Sequence, residues 1–163
     1  MNFIEKLEKN GYCIIPNIIS KYECSKNISE IWNWLENLNS GINRNDENTW
    51  SDDYWPPNTN GILQQFGVSH LQFIWDLRSN ENIINIFKQI WNTYDLEVSF
   101  DGINIIRPKK FINNIEEWYH IDQGSCKKGL HCVQGFINLE ETNVDDATLL
   151  VYDKSHLFHE KIF

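Results

Sequence analysis

The apolar residues of this chain change period partway along, and no other feature limits its fold as much. Up to residue 91 they recur at helical spacing; from residue 96 they crowd into short β-rich runs. Phe3, Ile4 and Leu7 predict a short helix ended by Asn10-Gly11, a favourable C-terminal cap pair. "YCIIP" then reads as a short strand closed by Pro16. Ser20 with Glu23 forms a capping box, and Ile28, Ile31, Trp32, Leu35 and Leu38 share one face behind it, which predicts a helix over 21–38. Ser79 or Asn80 caps a further helix carrying Ile83, Ile86, Phe87, Ile90 and Trp91.

The later half has strand character. "LEVSF" and "INIIRP" flank Asp101-Gly102, which reads as a tight hairpin or as a single bulged strand. "EWYHID", "LHCVQGFINL" and "TLLVYD" follow, separated by polar loops. Helices first and strands later predict an α+β fold, with helices packed on a sheet or barrel of antiparallel strands. Between the halves, Asn39 to Gly61 is rich in Asn, Ser, Asp, Thr, Pro and Gly but embeds Trp50, Tyr54 and Trp55. Such a loop is either a lid over a site or a packed connection. At 163 residues the chain is sized for one domain spanning 1–163.

Composition removes several function classes. Apolar residues at 41% and aromatics at 13% belong to a globular chain, not a disordered one. A net charge of −9, with no basic run longer than Lys109-Lys110 or Lys127-Lys128, argues against a nucleic-acid partner. No apolar run approaches a membrane span, and "MNFIEKLEKNGYC" lacks the apolar core of a signal peptide, so a cytoplasmic location is expected. Cys13, Cys24, Cys126 and Cys132 show no CxxC spacing, and free thiols in a reducing compartment are expected. No Gly-x-Ser-x-Gly is present and no Cys has a recognisable base partner, which leaves nucleophilic catalysis without support.

One short stretch, "EEWYHIDQGSC", carries chemistry. On a strand, residues two apart project from the same face, so His120 and Asp122 offer an imidazole nitrogen and a carboxylate oxygen to one ion. With a second His they would make the two-His, one-carboxylate triad of non-haem iron oxygenases, leaving three coordination positions open. The motif is short: in this composition a His-x-Asp arises by chance in about one chain in three. Its plain reading is a strand His hydrogen-bonded to a nearby carboxylate. A zinc site drawn from His120, Asp122, Cys126, His131 and Cys132 has suitable residue types but no knuckle spacing.

Three stretches carry a resemblance. "NGYCIIPNIISKYEC", "WYHIDQG" and "CVQGFINLEETNVDDATLLVYDKSH" together resemble, over nearly the whole chain, the phytanoyl-CoA-hydroxylase-like branch of the Fe(II)/2-oxoglutarate dioxygenases. The resemblance implies N-terminal helices packed on a partial double-stranded β-helix, or jelly roll. It implies Fe(II) and 2-oxoglutarate as cofactors, His120 and Asp122 as metal ligands, and a small-molecule substrate. On "LHCVQGFINL", Gln134 and Asn138 share a partly apolar face, and Gln134, with Asn104 near the hairpin, is a candidate cofactor contact. Both also suit ordinary hydrogen bonding within a sheet, as does Arg107. Trp118 and Tyr119 read as core or as a substrate platform.

The chain departs from the family in its turn and at its end. Asp153-Lys154-Ser155-His156 lacks the family's Pro and Gly before Ser-His, and a Lys tolerates positive φ only at a cost. Asp146-Ala147 stands where a glycine-containing pair is typical. In the family a second His and an Arg that grips 2-oxoglutarate follow the Ser-His turn, whereas here seven residues follow His156 and the arginines are Arg44, Arg78 and Arg107. His131, His156 and His159 read as surface or turn residues. The expectation is therefore a chain inactive by itself, with open strand edges that favour self-association; the competing reading is a non-catalytic remnant or interaction module of the same fold.

Overall fold

The computed structural model describes residues 2–112 and 118–162. They fall into two compact units, which the chain enters and leaves more than once. The central unit comprises Ile18–Glu116 and Leu139–Ala147; the terminal unit comprises Met1–Asn17, Glu117–Asn138 and Thr148–Phe163.

In the central unit, helix α2 (Lys21–Asn37) begins where the capping box sets it. The Ser20 hydroxyl accepts from the Glu23 amide, and the Glu23 carboxylate accepts from the Ser20 amide at 2.7 Å. Trp34 and Leu35 on its buried face meet Ile42, Trp55, Leu63 and Val68 in one core cluster. Trp32 extends that cluster into an aromatic group, its ring centroid 5.1 Å from Trp50 and 6.3 Å from Trp55, the latter edge-on. The polar 39–61 segment is thus a packed connection: its tryptophans insert beside α2. Arg44 fastens it from outside, donating to both oxygens of Glu36 and, through Nη2, at 2.7 Å to Oε2.

Strands β1 (Ile62–Leu63) and β2 (Ile103–Asn104) pair antiparallel, Ile62 opposite Asn104 and Leu63 opposite Ile103. Gly102 permits this: a Cβ there would stand 2.0 Å from the Leu63 carbonyl oxygen. β2 therefore pairs with β1 and not with "LEVSF". The reason lies in helix α3 (Gln72–Arg78), whose Arg78 guanidinium donates to the carbonyls of Ser99, Asp101 and Gly102 at 3.2, 2.8 and 2.9 Å. That clamp holds the 99–102 backbone against α3. Phe100 turns toward the rings of His70 (4.5 Å) and Trp75 (6.2 Å). Helix α4 (Glu81–Trp91) starts at Asn80, whose side chain accepts from the Asn82 amide, and ends at Asn92 in the left-handed region.

In the terminal unit, helix α1 (Phe3–Asn10) carries a full capping box from Asn2 and Glu5 and closes on Gly11 at φ 82°. The Ser155–Phe158 turn docks on that end: the Lys154 amide donates to the Asn10 carbonyl at 2.8 Å, and His156 Nε2 to the Glu8 carbonyl at 2.8 Å. Short helix α5 (His159–Ile162) follows. Among the described residues, 12–15, 118–122, 130–138 and 148–153 form no strand, and no helix is long and apolar enough to cross a membrane.

Candidate metal centre

His120 and Asp122 converge. Nε2 of His120 lies 3.6 Å from Oδ1 of Asp122, with the two side chains 45% and 46% exposed. That separation is too long for a hydrogen bond. It does fall within the span, about 3 to 4 Å, of two donor atoms that each sit about 2.1 Å from one ion.

The surroundings of both groups suit metal binding. His120 Nδ1 lies 3.0 Å from the Trp118 carbonyl oxygen. A carbonyl only accepts, so Nδ1 carries a proton, and Nε2 is the ring nitrogen near Asp122. The Trp118 indole stacks on the imidazole, centroids 4.4 Å apart and planes 22° apart, which limits ring rotation. On the other side, Gln134 Nε2 donates to Asp122 Oδ2 at 2.8 Å. His120 Nε2 and Asp122 Oδ1 are thus each held from behind by a neighbouring group and reachable from solvent.

Local folding brings these residues together through a second glutamine. Gln123 accepts from the His131 amide at 2.9 Å and donates to the Gly129 carbonyl at 2.8 Å, closing the 123–131 loop. Helix α5 braces the same loop. His159 Nε2 contacts the Lys127 carbonyl at 3.1 Å, and Glu160 Oε1 accepts from the Gly129 amide at 3.1 Å. Side-chain amides thus do what a backbone ladder does in a hairpin. Sequence reasoning missed Gln123; its position immediately after the His-x-Asp was the available signal.

The other candidates stand elsewhere. Asn104 belongs to the central unit, where its side chain donates to the Asn60 carbonyl at 3.4 Å. Asn138 also makes an interaction of its own. Arg107 stacks over Trp55 at 5.1 Å, donates to the Trp50 carbonyl at 2.7 Å and pairs with Asp52. All three arginines therefore clamp backbone or loops inside the central unit. His156 is tied to α1 and His159 to Lys127. Among the described residues no group of three or more His, Cys, Asp and Glu is placed to hold a metal, so Cys126, His131 and Cys132 do not complete a zinc site there. All four cysteines are free, and burial pushes the Cys13 thiol up, away from the nucleophilic thiolate.

Two curated proteins are similar to this chain. The chain is 30% identical over 146 residues to "Ava biosynthesis cluster protein O" of Aspergillus versicolor, covering 90% of this chain and 47% of that protein. It is 28% identical over 113 residues to a Dictyostelium discoideum protein named "Putative phytanoyl-CoA dioxygenase", covering 66% of this chain and 32% of that protein. The chain spans about half and about a third, respectively, of the lengths of these curated relatives. No family model and no solved structure matches it.

Proposed function

We propose that this chain carries the His-x-Asp portion of the iron centre of a phytanoyl-CoA-dioxygenase-like, Fe(II)- and 2-oxoglutarate-dependent oxygenase. We extend the proposal to its fold, assigning the β-rich runs of the later half to a jelly roll. The observation that carries the reading is the convergence of His120 Nε2 and Asp122 Oδ1 at 3.6 Å, each backed by its own partner. Similarity to the Dictyostelium protein supports the class of chemistry.

In this reading His120 binds through Nε2 and Asp122 through Oδ1. Iron, if held by His120 and Asp122 with a further ligand, would supply the oxygen-activating chemistry of a 2-oxoglutarate-dependent hydroxylation. The protein's part is orientation: the Trp118 carbonyl sets the imidazole tautomer, and the Trp118 ring limits its rotation. A facial triad needs one more histidine, and the distal carboxylate of 2-oxoglutarate needs a cation, best a bidentate arginine. Among the described residues no third His, Cys, Asp or Glu joins the pair.

Anaerobic titration with Fe(II), or with Co(II) as a spectroscopic stand-in, tests the centre. One equivalent should bind the unaltered chain, and His120→Ala or Asp122→Ala should each weaken binding by more than about 100-fold, beyond the loss expected for an outer contact. Equal affinity in both variants would refute the assignment.

A further inference from the structure

We propose that the exposed apolar run 149–152 of the terminal unit is an interface with a second copy of this chain, the two runs pairing antiparallel about a twofold axis. The inference goes beyond the iron reading and does not depend on it.

The run shows no buried side. A strand with one face on a core buries alternate residues. Here Leu149, Leu150, Val151 and Tyr152 are 62%, 63%, 38% and 69% exposed. Among the described residues, no backbone amide of 149–151 donates a hydrogen bond. The run is nevertheless anchored where it ends. The Ser155 amide donates to the Tyr152 carbonyl at 3.1 Å, and the Lys154 amide to the Asn10 carbonyl at 2.8 Å. An apolar, β-prone segment held in place with open donors is what strand addition requires.

The patch is wide enough for a dimer. Tyr119 continues it, its ring centroid 5.5 Å from that of Tyr152, and Trp118 and Tyr119 are 51% and 52% exposed. At about 100 Å² of exposed side chain each, the six residues present about 600 Å² per copy. Two copies joined there bury about 1,200 Å², the lower end of stable specific interfaces. A bare apolar patch of that size marks an interaction site.

Charge favours a second copy as the occupant. The terminal unit holds six acidic and six basic residues, so the whole net charge of −9 falls on the central unit. Copies meeting through their central units would oppose like charges, whereas the terminal unit adds no such repulsion. Self-pairing also closes: a twofold axis across the run reverses the direction of the copy, and both edges are used up at two chains.

Sedimentation equilibrium of the 163-residue chain should show a reversible species of twice 19.4 kDa. Leu150→Lys places two like charges in the contact and should raise the dissociation constant by more than about 100-fold. A side chain 63% exposed in the single chain carries little of the fold, so far-UV circular dichroism should not change. One readout needs no variant: in the unaltered chain the 149–151 amides should exchange more slowly as protein concentration rises. A chain that sediments as a monomer throughout overturns the proposal, and so does a mass that keeps climbing with concentration, the mark of open-ended association. A dimer that survives Leu150→Lys, or whose 149–151 amides exchange independently of concentration, joins through another surface and overturns it equally.

Discussion

Lys154 sits in the left-handed region at φ 61°, where a side chain is strained and glycine is not. It starts the Ser155–Phe158 turn, and its amide reaches the Asn10 carbonyl, so its backbone cannot relax without undocking the turn. Its own ion pair with Asp153, 3.6 Å and exposed, contributes little. Lys154→Gly should therefore stabilise the protein by about 0.5–1 kcal/mol, read as a raised urea midpoint at unchanged slope. Gly11 is the converse case. Its φ of 82° closes α1, and a Cβ would stand 2.5 Å from His156 Nδ1, so Gly11→Ala should destabilise by more than the usual helix-end penalty of about 1 kcal/mol. The left-handed need at both positions was legible, one from the Asn-Gly pair and one from the departure in the turn. The seat of His156 on α1 was not, because nothing local in the sequence records a contact between distant residues.

Helix ends were the most legible elements, since capping is chemistry written in four adjacent residues. Asn10-Gly11, Ser20 with Glu23, and Asn80 mark the end of α1 and the starts of α2 and α4, whereas the Asn2–Glu5 capping box of α1 was missed. Helix α3 escaped because Leu71 precedes it and offers no capping side chain. β1 escaped because two residues, Ile62 and Leu63, are too few to show alternation. Ser20→Ala should cost about 1 kcal/mol, measured by chemical denaturation. The carboxyls here also carry a pH signature. Hydrogen bonds from the Ser20 amide and hydroxyl hold Glu23 below the ordinary glutamate range, and the Arg44 guanidinium with its amide does the same for Glu36. A carboxyl depressed in the folded state stabilises fully above its unfolded value, about 4.3, and loses that contribution as pH falls through its folded value. Stability should thus drop in the acid range below about pH 4.5, and Glu36→Gln should flatten that drop while lowering stability at pH 7. A denaturation series at pH 3 and pH 7 on both proteins shows whether the two curves converge.

The whole molecule divides its stability unevenly. The buried hydrophobic residues described, among them Leu35, Leu63 and Val68, all lie in the central unit, whereas His159 is the buried residue described in the terminal unit. Leu35→Ala should cost about 2–5 kcal/mol. Hydrogen exchange should show α2 amides protected toward the global limit and amides of 118–138 opening at far lower cost. Comparable protection in both would contradict this division. The nearness of His120 and Asp122 follows from their separation by one residue, while the side-chain amides around them depend on a loop closure that no spacing encodes. One further consequence concerns synthesis. The bond from His156 to the Glu8 carbonyl joins positions 148 residues apart. At a translation rate of about 5–20 residues per second, the first helix leaves the ribosome about 7 to 30 s before its anchor is made. Over that interval α1 waits unclasped.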